Sequence, residues 1–91
     1  MKTRPRISLC MIAKNEEALI AGCLRSVRGV AHEVIVVDTG STDRTVAIAE
    51  AEGARVVHFR WCDDFAKARN AGVELATGTH ILILDADERL G

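Results

Sequence analysis

The chain has 91 residues and a mass of 9.9 kDa, which is enough for one domain or for part of one. Twelve Lys and Arg residues stand against 13 Asp and Glu residues, so the formal net charge of −1 excludes the basic field on which nucleic-acid binding depends. Hydrophobic residues make up 48% of the chain, yet no apolar run approaches the roughly 20 residues of a membrane-spanning helix.

The first third of the chain predicts a strand, a helix and a second strand. The basic N-terminus, residues 1–6, is followed by no long apolar segment, so we predict no signal peptide and a cytoplasmic location. The run I-S-L-C-M-I-A at 7–13 is typical of a buried strand. Asn15 is the predicted N-cap of a helix that begins with two glutamates and is followed by Gly29. The V-I-V-V run within 33–38 predicts the strongest strand, because β-branched residues favour strands.

The rest of the chain continues this alternation. Turn residues lead into an Ala-rich helix over about 43–52, and a strand is predicted at about 54–59. A third helix is predicted, with Asp63 or Asp64 as its cap and Gly78 as its stop. A strand at 80–84, which contains the run I-L-I-L, comes last. Such strand–helix–strand units predict the α/β class, as a Rossmann-like parallel four-stranded sheet with helices on both faces.

Polar residues follow the carboxyl ends of the predicted strands, and parallel α/β sheets bind their ligands at that edge. Two of them, Asp85 and Asp87, lie two apart in an extended segment, so their carboxylates point the same way and repel each other unless a cation lies beside them. A magnesium or manganese ion that also binds substrate phosphates meets that need, and a solvated acidic turn is the alternative. Neither a G-x-G-x-x-G motif nor a P-loop is present, so carboxylates, metal and helix starts would have to hold a nucleotide.

Two further residues at this edge allow both a functional and a structural interpretation. Asp38 ends the strongest strand and could accept a hydrogen bond from a nucleobase N–H, or it could cap the turn that follows. Arg69 lies near the start of the third helix and could meet a phosphate or a base, or it could form an ion pair with Asp85.

Four motifs in this order resemble family 2 glycosyltransferases, which have the GT-A fold of nucleotide-diphospho-sugar transferases. They are S-L-C-M-I-A-K-N-E-E at 8–17, V-V-D-T-G-S-T-D-R-T at 36–45, A-R-N-A-G at 68–72 and L-D-A-D-E at 84–88. The resemblance covers about residues 7 to 90. The stretch at 61–70 further resembles bacterial members in which tetratricopeptide repeats often follow the transferase domain.

The resemblance implies a site for a nucleotide-diphospho-sugar, of the UDP-sugar type, with a divalent cation (Mn or Mg) as cofactor. The residues implied for the nucleotide are Ala13, Asn15, Glu16, Asp38, Arg69 and Asp85, and those implied for the metal are Asp85 and Asp87. Within this set Asp38 would bond to a uracil-type base. The family transfers the sugar to an acceptor with inversion at the anomeric carbon, and the metal stabilises the charge that grows on the diphosphate.

The same resemblance implies that the rest of the chemistry lies elsewhere. In this family the general base and the acceptor site come from the portion after the D-x-D, and Glu88 is a poor substitute because it adjoins the metal site. We therefore expect residues 1–91 to be the N-terminal, nucleotide-sugar-binding half of a truncated GT-A domain without its acceptor half. The full-length parent would be a transferase, and this part alone would be inactive.

Three other functions compete with this interpretation. A non-catalytic nucleotide-binding or assembly module could self-associate through the exposed edge of the last strand. A D-x-D phosphatase or phosphotransferase would use Asp85 as nucleophile and Asp87 as acid, but Glu88 and Arg89 differ from the residues usual in haloacid dehalogenase-like enzymes. A nucleotidyltransferase would need a Gly- and Lys/Arg-rich loop after the first strand, which K-N-E-E at 14–17 does not supply.

Overall fold

The computed structural model describes residues 6–60 and 65–84 and alternates strictly between strand and helix. The elements are β1 (Ile7–Ala13), α1 (Ile20–Ser26), β2 (Glu33–Asp38), α2 (Thr45–Ala51), β3 (Arg55–His58), α3 (Phe65–Val73) and β4 (His80–Ile83). The strands lie where the sequence predicts them, and the helices are shorter than predicted. The predicted start of the third helix at residues 63–64 lies outside the described residues. None of the described helices is long and apolar enough to cross a membrane.

The four strands form one parallel sheet in the order β3-β2-β1-β4. The chain winds outward from β1 to β3 and then crosses back to place β4 on the other side of β1. The predicted Rossmann-like parallel four-stranded sheet is confirmed. All four carboxyl ends meet at one edge, and the winding reverses direction between β1 and β4, where such sheets bind ligands.

Helices cover both faces of the sheet, as predicted. On one face, Leu9 and Met11 of β1 pack in the main core, which also contains Ile20 and Leu24 of α1 and Ala49 of α2. Side chains alternate along a strand, so every second residue of β1, such as Cys10 between Leu9 and Met11, points to the opposite face. There α3 packs against β1 and β2.

The α3 face is covered only in part by the described residues. Gly72 of α3 lies so close to the sheet that a Cβ on it would come within 2.9 Å of the Val37 Cγ2 atom and 3.6 Å of the Cys10 side chain. On the same face Ile81 and Ile83 of β4 are each 44% exposed. They are register partners of residues 8 and 10 of β1. The predicted self-association would use the exposed edge of β4, the last strand of the sheet order, and it stays a prediction.

The predicted N-cap of the first helix is wrong. The N-cap residue of α1 is Leu19, which makes no side-chain capping hydrogen bond. Asn15 instead has a φ of 52° and directs its Oδ1 atom to the loop after β2, where it accepts a hydrogen bond from the Thr42 backbone N–H. The physical reason is that an asparagine side chain accepts equally well from a neighbouring loop as from its own helix start. The two glutamates that follow it therefore precede α1, which has no acidic residue in its first turn.

A hydrogen-bonded clasp joins β1, β2 and the α3–β4 turn at the amino-terminal edge of the sheet. The Ser8 hydroxyl donates to the Glu33 Oε2 atom (2.6 Å) and accepts from the Gly78 backbone N–H (2.9 Å). Thr77 donates to the same Glu33 oxygen through its backbone N–H (2.9 Å) and its hydroxyl (3.0 Å). These hydrogen bonds favour the ionised carboxylate and lower the pKa of Glu33 below its usual value, and the bond from Ser8 has the largest effect.

Replacing Gly78 with alanine tests how tightly the clasp is packed. A Cβ at this position would lie 2.5 Å from the Arg6 carbonyl oxygen and 2.6 Å from the Ser8 hydroxyl, so backbone would have to move. We expect Gly78→Ala to lower the free energy of unfolding by about 1–3 kcal/mol in urea denaturation. Gly29→Ala is the control, because a Cβ there meets nothing within 4 Å. Equal stability of Gly78→Ala and the wild type would contradict this packing.

The lowered pKa of Glu33 predicts a pH dependence of stability. Because the folded state holds this pKa below the ordinary value of about 4.3, the carboxylate stabilises the fold above that pH and ceases to do so as the pH falls through the lowered value. We expect Glu33→Gln to cost about 1 kcal/mol at pH 7 and the deficit to shrink on acidification. Urea denaturation at several pH values measures it, with exposed Glu74→Gln as the control. A deficit that grows below pH 4 would refute the assignment.

Candidate functional site

Asp38 is the acidic residue that the sheet brings to the centre of its carboxyl-terminal edge. It is the last residue of β2, it is level with Ala13 of β1 and His58 of β3, and it is only 4% exposed. The Thr39 backbone N–H donates to the Ala13 carbonyl (3.1 Å), and the Phe59 backbone N–H donates to the Asp38 carbonyl (2.8 Å). The main chain at Asp38 is therefore held by the strands on both sides.

The two carboxylate oxygens of Asp38 have different surroundings. The Oδ2 atom accepts hydrogen bonds from the backbone N–H groups of Gly40 (3.3 Å) and Ser41 (3.1 Å), and it lies 3.8 Å from the His58 Nδ1 atom. Gly40 has a φ of 119°, which favours glycine and allows the turn to present both amides to one oxygen. The Oδ1 atom is buried and has no hydrogen-bond partner within the described part of the chain.

A buried acceptor without a partner costs free energy, so the state of the Asp38 Oδ1 atom indicates that a hydrogen-bond donor is missing there. A cavity of about 450 Å³ opens at this place. It is lined by Asp38, Thr39, Gly40, His58, Phe59 and Arg60. The lining combines an acceptor, an aromatic ring and a cation, which together suit a flat ligand with a polar edge and a negatively charged group.

The structure brings the three predicted residues at and after the end of β1 next to the segment that follows Asp38. Ala13 is buried, and its carbonyl accepts the Thr39 N–H described above. Asn15 is exposed and accepts from the Thr42 N–H at 2.8 Å. The Glu16 backbone N–H donates to the Thr45 hydroxyl at 2.8 Å. Ala13, Asn15, Glu16 and Asp38 thus lie close together at this edge of the sheet, and their assignment to a nucleotide stays a prediction.

Each of the other predicted residues lies either away from these four or outside the described residues. Arg69 is exposed on α3, and within residues 6–60 and 65–84 no ion pair connects it to Asp38. Asp85 and Asp87 lie outside the described residues. Leu84, which precedes them, is buried, and its backbone N–H donates to the Cys10 carbonyl at 3.2 Å. The described residues contain no group of three or more His, Cys, Asp or Glu side chains that could hold a metal ion.

Sequence reasoning missed two residues of the cavity, His58 and Phe59. Neither belongs to a motif, and the histidines are scattered singly along the chain. A signal for them exists only once β3 is known to lie beside β2, because the end of β3 then lies level with Asp38. Strand order, which depends on how the helices cross over, cannot be taken from the strand sequences themselves.

Comparison with known proteins identifies a family and relatives that match most of the chain. The family described as "Glycosyl transferase family 2" matches residues 8–90. Over 85 residues the chain is 53% identical to a TPR repeat-containing protein of Synechococcus elongatus, covering 93% of this chain and 21% of that protein. It is 45% identical over 85 residues to an uncharacterized glycosyltransferase of Rickettsia felis, covering 93% of this chain and 30% of that protein.

Solved structures match at similar coverage. The crystal structure of Mycobacterium tuberculosis glucosyl-3-phosphoglycerate synthase superposes with a TM-score of 0.80 at 30% identity, over 92% of this chain and 35% of that one. A structure of the same enzyme with Mn²⁺, UDP-glucose and phosphoglyceric acid superposes with a TM-score of 0.73 at 30% identity, over 90% and 33%. The chain therefore spans about a fifth to a third of the length of these relatives.

Proposed function

This chain belongs to glycosyl transferase family 2, and we propose that it forms the donor-binding half of a transferase domain that binds a nucleotide-diphospho-sugar. The observation that carries the proposal is the Asp38 Oδ1 atom, a buried acceptor without a partner in the described residues, beside a cavity at the ligand-binding edge of the sheet. A nucleobase supplies the missing donor, and Phe59 in the cavity lining offers a flat apolar surface for its ring.

The hydrogen bonds of Asp38 favour uracil as the base. Two backbone amides already occupy the Oδ2 atom, so the carboxylate has one free acceptor, Oδ1. Uracil presents a single imide N–H between two carbonyls, which matches one acceptor. Guanine presents two adjacent donors, of which one oxygen satisfies only one, whereas cytosine and adenine bring an unprotonated ring nitrogen beside their amino donor, and a carboxylate repels that nitrogen. The structures of the M. tuberculosis enzyme with UDP-glucose support the same base for this chain.

Asp85 and Asp87 are proposed to hold a Mn²⁺ or Mg²⁺ ion on the donor diphosphate. The proposal rests on their spacing, on the oxygen ligands that such ions prefer, and on the Mn²⁺ that accompanies UDP-glucose in the M. tuberculosis enzyme. The hydrogen bond from the Leu84 N–H to the Cys10 carbonyl supports it further, because it keeps the chain beside β1 up to the residue before Asp85. When bound, such a cation stabilises negative charge on the leaving diphosphate.

The remaining steps belong to the transferase as a whole. We propose that it transfers the sugar to an acceptor with inversion, that Arg69 helps to bind the nucleotide, and that Ala13, Asn15 and Glu16 line the base and ribose pocket. No residue among 1–91 is assigned as the general base. We accordingly expect the chain alone to bind UDP and to transfer no sugar.

Titration with nucleoside diphosphates tests the donor site. We expect the chain to bind UDP more tightly than CDP or GDP, with amide NMR shifts at Gly40 and Ser41. Asp38→Asn offers one acceptor and one donor, so it cannot serve both the turn amides and the imide N–H. We expect it to weaken UDP binding about tenfold, as measured by calorimetry.

Glu50→Gln is the matched control for Asp38→Asn, because it removes an exposed carboxylate on α2 away from the cavity. Its affinity for UDP should equal that of the wild type. Equal affinities for the three nucleotides, or an unchanged affinity in Asp38→Asn, would reject the donor site and favour an assembly module.

Removal of one proposed metal ligand tests the cation site separately. We expect Mn²⁺ to strengthen UDP binding by the wild type, and Asp87→Asn to abolish that gain while it leaves the metal-free affinity within about twofold. Calorimetric titration of UDP with and without Mn²⁺ measures both values. If Mn²⁺ strengthens UDP binding by Asp87→Asn as much as by the wild type, Asp87 is not a ligand.

A further inference from the structure

Asn15 connects the loop after β1 to the loop after β2 through four hydrogen bonds. Its Oδ1 atom accepts from the Thr42 backbone N–H (2.8 Å), the Asp43 backbone N–H (3.3 Å) and the Thr42 hydroxyl (3.4 Å). Its own backbone N–H donates to the Ser41 hydroxyl (2.9 Å). We call these four bonds the Asn15 latch. One side chain and one amide thus hold three consecutive residues of the neighbouring loop.

The two loops also exchange hydrogen bonds beyond the latch. The Glu17 backbone N–H donates to the Asp43 carboxylate (3.2 Å), and the Arg44 backbone N–H donates to the Glu17 carboxylate (3.1 Å). Desolvation opposes ionisation of Asp43, but hydrogen bonds from Thr45 and Glu17 outweigh it and lower the Asp43 pKa. Each loop supplies acceptors for amides of the other that lie outside any helix or sheet ladder.

The backbone at Asn15 meets a second requirement. Its φ of 52° lies in the left-handed region, where most residues are disfavoured and where glycine, asparagine and aspartate are tolerated. Of these three, glycine has no side-chain acceptor. The position therefore needs a residue that combines left-handed backbone with a side-chain oxygen, and strained non-glycine backbone of this kind clusters at functional sites.

The latch acts on Asp38 through one shared residue, Ser41. The Ser41 hydroxyl accepts from the Asn15 N–H, while the Ser41 backbone N–H donates to the Asp38 Oδ2 atom at 3.1 Å. The turn that the latch holds is therefore the turn whose amides occupy Oδ2 and leave Oδ1 for a ligand. We propose that Asn15, in addition to its proposed place in the pocket lining, is a positioning residue, which fixes the orientation of the Asp38 carboxylate by holding residues 41–43. This inference rests on the proposed function.

Two substitutions separate the acceptor from the backbone conformation. Asn15→Gly keeps the left-handed backbone at no steric cost but removes the Oδ1 atom. Asn15→Asp keeps both the backbone tolerance and a side-chain oxygen, and its charge strengthens the hydrogen bonds from the loop amides, which works against its repulsion from the Asp43 carboxylate. We expect Asn15→Gly to weaken UDP binding about tenfold and Asn15→Asp to restore most of the affinity. In the free chain, the Gly40 and Ser41 amide proton resonances should move upfield in Asn15→Gly only.

Glu33→Gln controls for a general loss of stability, because Glu33 lies at the opposite edge of the sheet. It should lower stability while it leaves UDP affinity and both amide resonances unchanged. If the wild type binds UDP and Asn15→Gly binds it equally, or if Asn15→Asp behaves like Asn15→Gly, the inference is wrong. If the wild type fails to bind UDP, the proposed function is wrong. If, in addition, the Gly40 and Ser41 resonances do not move in Asn15→Gly, the positioning role of Asn15 is wrong as well.

Discussion

A single buried carboxylate sets the requirements for the whole carboxyl-terminal edge of this sheet. Burial of a charged group is costly unless hydrogen bonds compensate it, and Asp38 is 4% exposed. The turn after β2 supplies two amides to one of its oxygens, and His58 lies 3.8 Å from the same oxygen. Within the described residues the second oxygen has no such compensation, and a ligand that brings a hydrogen-bond donor to it would gain free energy on binding, as we propose.

At the opposite edge of the sheet a carboxylate holds parts of the fold together. Glu33 receives hydrogen bonds from the Ser8 hydroxyl and from two groups of Thr77, all on its Oε2 atom. These bonds tie β1, β2 and the α3–β4 turn together and lower the pKa of the group. A satisfied carboxylate of this kind stabilises the fold, whereas the Asp38 carboxylate, with one oxygen unpartnered among the described residues, fits the binding role that we propose for it.

The start of α1 shows that local sequence can predict the wrong N-cap. The strands agree with prediction, and β2 has the predicted bounds, because short apolar β-branched runs between turn residues leave few alternatives. Asn15 is a good N-cap by residue type, yet its oxygen bonds to the loop after β2 and α1 begins five residues later. Residue type reports that a side chain can accept a backbone N–H, and not which N–H it will find.

The amino-acid sequence by itself determined the strand–helix alternation, the order of the motifs that identify the family, and Asp38 as an acid at the end of the strongest strand. These depend on local pattern, which is present in the chain before it folds. Only the tertiary structure decided that β3 brings His58 level with Asp38, and that Asn15 reaches Thr42, 27 positions away. It also decided that one oxygen of Asp38 is held by two amides while the other has no partner among the described residues. Such contacts depend on strand order and register, and they exist only after the sheet has assembled.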